Sequence, residues 1–188
     1  KEPFFAGTYF PKTGRGNQPG MMELIPSLIN AWNNKQDDIQ KTIKQVNKYL
    51  VNSNASVPGS ELDKNALNNA FYDFKERFDN EFGGFGIAPK FPSPHNLIFL
   101  LRYYKIFDDK NALEMVTTTL DKMRLGGIFD HIGYGFHRYS TDKNWFLPHF
   151  EKMLYDQAMI SMAYIEAFEA TKDEKYATIV EEIFSYVI

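Results

Sequence analysis

The sequence predicts a mainly α protein, the larger part of it an arc of a helical toroid, on three observations. From residue 60 onward, apolar positions recur at helical spacing in five successive segments. Segments with one apolar face alternate with segments apolar nearly all round, the pattern of outer and inner helices. Long loops lead into the inner segments and turns of two or three residues lead out. Neighbouring helices are therefore antiparallel, and every long loop emerges on one face, at the N-termini of the inner helices.

Taken in order, Phe4 to Phe10 (FFAGTYF) is aromatic, contains Thr, is bounded by Pro3 and Pro11, and reads as a short strand. Lys12 to Gly20 is a glycine-rich loop. A helix is predicted from about Met21 to Asn33, with Leu24, Leu28 and Trp32 on one stripe and Pro26 tolerable near its first turn. A second runs from about Gln36 to Val51, seamed by Ile39, Ile43, Val46 and Leu50. SNASVPGS (Ser53 to Ser60) has the composition of a linker and sets a boundary between residues 1–52 and 61–188.

Ser60 is read as the cap of a helix to about Phe78, with Asp63 at its third position and Leu62, Ala66, Phe71 and Phe74 on its inward face. After a loop from Asp79 to Ser93, Pro94 opens a helix to about Phe107 whose centre, LIFLLRYY, must be buried. Asp109 caps the next, with Leu113, Val116, Leu120 and Met123 inward. A further helix, from about His149 to Ala170, has no charge between Asp156 and Glu166. Asp173 caps the last, with Tyr176, Ile179, Val180 and Ile183 on one face. Phe78-Asp79 recurs as Phe129-Asp130, 51 positions on, a spacing that suits one helical-hairpin repeat.

Composition excludes several classes of function. A net charge of −3 with acids and bases interspersed argues against a nucleic-acid partner held by phosphate neutralisation. No apolar run approaches the roughly 18 residues that span a bilayer, and no signal peptide opens the chain, so no membrane partner is expected. Cysteine is absent, which fits a reducing cytoplasm and leaves no thiol chemistry. The chain opens Lys-Glu-Pro and stops inside a helical pattern, so it reads as a piece of something longer. An arc of about two and a half hairpins leaves inner-helix faces exposed. The partners expected for it are the missing remainder of the parent chain or a second copy.

If the protein has a site, it lies between Gly126 and Ala158, which holds three of the four histidines, one of the two tryptophans and an Arg-Tyr pair. Sugars are bound by aromatic faces and by planar polar groups that fork to adjacent hydroxyls. Trp145, Tyr139, Tyr155, Arg138 and Asp130 are candidates for binding such a substrate. His137, His149, Glu151 and Asp156 are candidates for catalysis. Epimerisation or isomerisation needs a base of near-neutral pKa, which histidine supplies. Hydrolysis needs two carboxyl groups flanking a bond, with Asp130, Asp142, Glu151 and Asp156 available. A helix starting at His149 would place Asp156 below it on one face, and Glu151 and Tyr155 on the next. The bland alternative is that His137 and Arg138 pin the loop, Trp145 plugs the ring, and the toroid is a docking surface without catalysis. Spacings of six and twelve among His131, His137 and His149 match no compact ligand pattern, and no metal or other cofactor is expected.

GTYFP at Gly7 to Pro11, GGFGIAPKFP at Gly83 to Pro92 and GFHRYSTDKNWFLPHFEKMLYDQA at Gly135 to Ala158 resemble the signature stretches of a known family. These are the thioredoxin-domain-containing proteins related to spermatogenesis-associated protein 20, common in bacteria. The resemblance implies a thioredoxin-like α/β domain followed by an (α/α)6 toroid similar to six-hairpin glycosidases and sugar 2-epimerases. Residues 1 to about 52 would then be the C-terminal remnant of the thioredoxin-like domain, with its Cys motif upstream. The resemblance leaves the reaction open.

Overall fold

Local sequence fixes where most of the helices begin. The computed structural model describes residues 2–55, 59 and 63–188. They fall into two units divided between Ser60 and Glu61. In the first, α1 (Met21–Asn34) starts where the Gly20 N–H donates to Glu23 Oε2 at 3.0 Å, and α2 (Gln36–Asn54) buries Ile39 and Ile43. The expected strand from Phe4 to Phe10 does not form. No other strand among the described residues of this unit could pair its backbone. Its aromatics pack instead, with the Phe4 ring 5.6 Å from that of Trp32 on α1.

The second unit contains α3 (Lys64–Arg77), α4 (Pro94–Phe107), α5 (Lys110–Leu125), α6 (Leu154–Thr171) and α7 (Glu174–Val187). The outer helices α3, α5 and α7 share one device. Asp63, Asp109 and Asp173 each accept the N–H two residues on, at 2.9, 2.9 and 3.1 Å. The cap of α3 is thus Asp63, while Ser60 and Leu62 lie outside the described residues; of the predicted inward face, Phe71 is buried but Ala66 is exposed. The inner helices α4 and α6 start at Ser93 and Met153 with no side-chain cap. α4 packs on α3, α5 and α6, and α6 packs on α5 and α7. Leu97, Leu100, Leu120, Ile160 and Tyr164 are wholly buried between them, and the Tyr164 hydroxyl donates to Leu120 O at 2.8 Å. The inner helix α6 keeps an open face, where Met162 and Ile165 stay 45% and 40% exposed. No helix of the described residues is long and apolar enough to cross a membrane.

The two long loops contain copies of one turn. Asp79 N–H donates to Gly84 O and Asp130 N–H to Gly135 O, both at 3.0 Å. Gly84 and Gly135 each have φ +75°, and each precedes a phenylalanine, Phe85 or Phe136, that bridges back to Phe78 or Phe129. In each copy a lysine closes the turn. Lys90 Nζ donates to Asp79 Oδ2 (2.8 Å) and Gly83 O (2.9 Å); Lys152 Nζ donates to Asp130 Oδ2 (2.7 Å) and Tyr134 O (2.6 Å). The lysine follows its aspartate by 11 residues in the first copy and by 22 in the second.

The added residues of the second copy form a small hairpin that ties the copies together. β1 (Tyr139–Ser140) pairs antiparallel with β2 (Pro148–His149). Ser140 and Lys90 exchange backbone hydrogen bonds at 2.8 Å in both directions, and Trp145 Nε1 donates to Phe82 O at 2.8 Å. This hairpin corrects the predicted start of α6. Residues 148–151 pair with 138–140, Arg138 N–H donating to Glu151 O at 2.7 Å, so the helix begins at Leu154 rather than His149.

Candidate functional site

Because residues 148–151 are extended, helical spacing does not relate His149 to Asp156 or Glu151 to Tyr155. The hairpin instead distributes the predicted site residues over three environments. Trp145 is in the core, wholly buried, with its indole against Lys90 at 5.3 Å. The added Cβ of any other residue at Gly84 would lie 2.6 Å from that indole, so glycine is required there. His137 is nearly buried at 8% exposure, edge-on to Phe150 at 5.3 Å, and its Nδ1 has no hydrogen-bond partner. Burial, reinforced by the nearby Lys152 and opposed by Asp130, holds its pKa below the ordinary histidine value. Asp130 is engaged inside its own turn. The N–H of Gly133, then Lys152, then the N–H of Ile132 hold its carboxyl far below the usual range.

His149, Tyr139, Glu151 and Arg138 form a half-exposed row along the loop face. The His149 and Tyr139 rings stack at 4.9 Å and 18°, and Tyr139 in turn lies 4.9 Å from Phe91. Glu151 Oε2 is 3.7 Å from His149 Nδ1 and accepts from Arg138 Nη1 at 3.1 Å. Glu151 is the main influence holding the guanidinium charged, and Tyr155 adds to it.

Arg138, Tyr155 and Asp156 meet residues of the other long loop around a groove of about 280 Å³. Its far wall is Phe91 and the first turn of α4, with Pro94 and His95; Met159 lies on the α6 side. Asp156 Oδ2 is buried and receives no hydrogen bond. Burial pushes this carboxyl above its usual pKa, and the Arg138 charge pulls it partly back. The groove lies where the two turn copies meet. Phe91 and His95 follow the clamp lysine Lys90, and Tyr155 and Asp156 follow Lys152. Sequence reasoning singled out neither Phe91 nor His95 as a site residue. The recurrence of Phe-Asp was the signal that could have aligned the two inner-helix starts.

Chemically, the groove offers a guanidinium with unengaged N–H groups, a carboxyl group, an imidazole and a flat aromatic wall. Asp142 contributes nothing to it, since its carboxylate accepts the N–H groups of Asn144, Phe146 and Leu147. Among the described residues no three His, Asp or Glu side chains converge as metal ligands.

The Thioredox_DsbH family model, described as a protein of unknown function (DUF255), matches residues 1–51. Human spermatogenesis-associated protein 20 is 40% identical over 99% of this chain and 25% of its own length. The mouse protein of that name is 39% identical over the same shares. An uncharacterised protein of Caenorhabditis elegans is 33% identical over 98% of this chain and 26% of its own. The chain therefore spans about a quarter of the length of the curated relatives it matches. Among solved structures, cellobiose 2-epimerase from Bacillus thermoamylovorans matches 64% of this chain and 35% of its own, with TM-score 0.55 and 16% identity. A sugar epimerase from a ruminal bacterium matches 63% of this chain and 33% of its own, with TM-score 0.56 and 16% identity. At that identity the likeness establishes the fold, a partial (α/α)6 toroid.

Proposed function

The chain belongs to the family of spermatogenesis-associated protein 20, a thioredoxin-like domain joined to a helical toroid, and on that premise we propose that the toroid binds a sugar-like small molecule at the N-termini of its inner helices. The observation that carries this reading is the Asp156 carboxyl, which lines a groove beside Arg138 and has its Oδ2 buried without a donor. A buried acceptor left unsatisfied by its own protein costs about 1–3 kcal/mol. Such a cost is retained where a ligand satisfies it. The fold shared with sugar epimerases supports a carbohydrate.

Between the two sugar chemistries, proton transfer of the epimerase or isomerase kind suits the residues better than hydrolysis. Hydrolysis needs a pair of disengaged carboxyl groups. Asp130 and Asp142 are engaged by backbone N–H groups, and Glu151 by Arg138. His95 and Asp156, on opposite walls, remain as titratable groups of the groove.

The test is saturation-transfer NMR of the intact protein with a mixture of small sugars, sugar acids and sugar phosphates. Signals are expected from at least one, and they should vanish in an Arg138→Ala/Asp156→Ala variant of unchanged circular dichroism. Unchanged signals in that variant would place binding elsewhere. A second reading, a docking module for the thioredoxin-like domain's protein substrates, is favoured by Phe146 and Phe150, 76% and 72% exposed on the loop face. It takes the lead if no small molecule binds.

A further inference from the structure

The class of molecule that fits the groove follows from its charge, shape and size, given the reading that it is a ligand site. Charge comes first. Arg138 Nη1 is already held by Glu151 at 3.1 Å, so the guanidinium brings little surplus positive charge. Asp156 lines the same groove, and its Oδ2 is buried with nothing donating to it. A phosphate or carboxylate entering there gains little from a neutralised cation and is repelled by the carboxyl oxygen. A hydroxyl has the opposite fit, because it donates to Asp156 and accepts from a remaining guanidinium N–H. Two neighbouring hydroxyls satisfy both groups at once.

Shape is set by Phe91, which is 46% exposed and backed by Tyr139 at 4.9 Å. Tyr139 is itself stacked on His149. The row of rings braces Phe91 as a flat apolar wall, which suits the C–H face of a sugar ring. Size closes the argument. The volume of about 280 Å³ lies just below the usual range for small-molecule sites, roughly 300–1,000 Å³. That is room for one ring.

We infer that the groove takes a single uncharged sugar ring, its C–H face on Phe91 and two adjacent hydroxyls divided between Arg138 and Asp156. His95, on the opposite wall at the start of α4, supplies a third polar contact. Sugar phosphates are disfavoured by charge and disaccharides gain nothing from their second ring.

Calorimetric titration of the intact protein with D-glucose, D-mannose, glucose 6-phosphate and cellobiose tests this. At least one neutral monosaccharide should bind about tenfold or more tightly than glucose 6-phosphate, and cellobiose no more tightly than that monosaccharide. Phe91→Ala should weaken binding about tenfold and Phe91→Tyr should restore it, both at an unchanged thermal unfolding midpoint. Tighter binding of the phosphate, or of cellobiose by about tenfold, overturns the inference and leaves the groove a small-molecule site. Binding indifferent to Phe91→Ala and Asp156→Ala alike, or no binding of any of the four to folded protein, overturns both the inference and the reading beneath it.

Discussion

Lys90 and Lys152 make the same pair of hydrogen bonds in two copies of one turn, but only Lys90 is fully enclosed. The Lys90 side chain has no exposed surface and that of Lys152 keeps 12%. Removing one partner of an enclosed ion pair strands the other charge. Lys90→Met is therefore expected to cost about 3 kcal/mol or more. Both aspartates keep two backbone N–H groups, so the difference rests on the lysine, and Lys152→Met, which removes a partly solvated ammonium, should cost about 1–2 kcal/mol. Urea unfolding of both variants checks the order. An equal or larger loss at Lys152 would contradict the difference in burial.

The repeat shows how far the sequence can be read unaided. Phe78-Asp79 and Phe129-Asp130 were visible as an echo, and the Asp caps of α5 and α7 stood where local chemistry puts them. The closing lysines were hidden because one lies 11 residues beyond its aspartate and the other 22. The start of α6 was misplaced because Pro148 and Glu151 imitate a helix N-terminus. Their backbone is engaged by Arg138, Tyr139 and Ser140, which a one-dimensional pattern does not reveal. Arg138 and Asp156 could be named from their segment alone. Phe91 and His95 could not, because they belong to the other long loop and the start of α4, which only the fold brings beside Arg138 and Asp156.

Acid should weaken the turns in a defined direction. Asp130 is held low by the N–H of Gly133, by Lys152 and by the N–H of Ile132. At Asp79 burial works the other way but is outweighed by Lys90 and the N–H groups of Phe82 and Glu81. A folded pKa below the unfolded value of about 4 gives stability that is complete above pH 4 and is lost as the pH falls toward the folded value. Unfolding free energy should therefore decline below about pH 4, and Asp130→Asn should flatten that decline. An equal acid slope in the variant would show that Asp130 is not linked to folding.

Trp145 should report the junction of the two loops. It is fully buried, whereas Trp32 is 53% exposed. Iodide is expected to quench only part of the fluorescence, and Trp145→Phe should leave emission that is red-shifted and fully quenchable. Trp145→Ala should cost about 3–5 kcal/mol, by cavity formation and by loss of the donor to Phe82 O. A cost below about 1 kcal/mol would mean that the indole does not hold the loops together.

Asp156 should trade stability against binding. Its folded pKa is raised, so the folded state holds more protons than the unfolded one just above the usual carboxylate range. Stability falls as the pH rises through that window. Asp156→Asn removes the penalty and should raise stability at pH 7 by about 0.5 kcal/mol, a figure kept small because the group is partly solvated. At pH 3 the gain should vanish. Sugar affinity should fall in the same variant, and a loss of stability at pH 7 would reverse the sign argued for this carboxyl.

The most direct measurement of the central claim is a crystal structure of the intact protein soaked in the monosaccharide that binds best. The ring is expected against Phe91, with oxygens about 3 Å from Arg138 and Asp156. Polypeptide filling the groove, or sugar bound only at another surface, would contradict it.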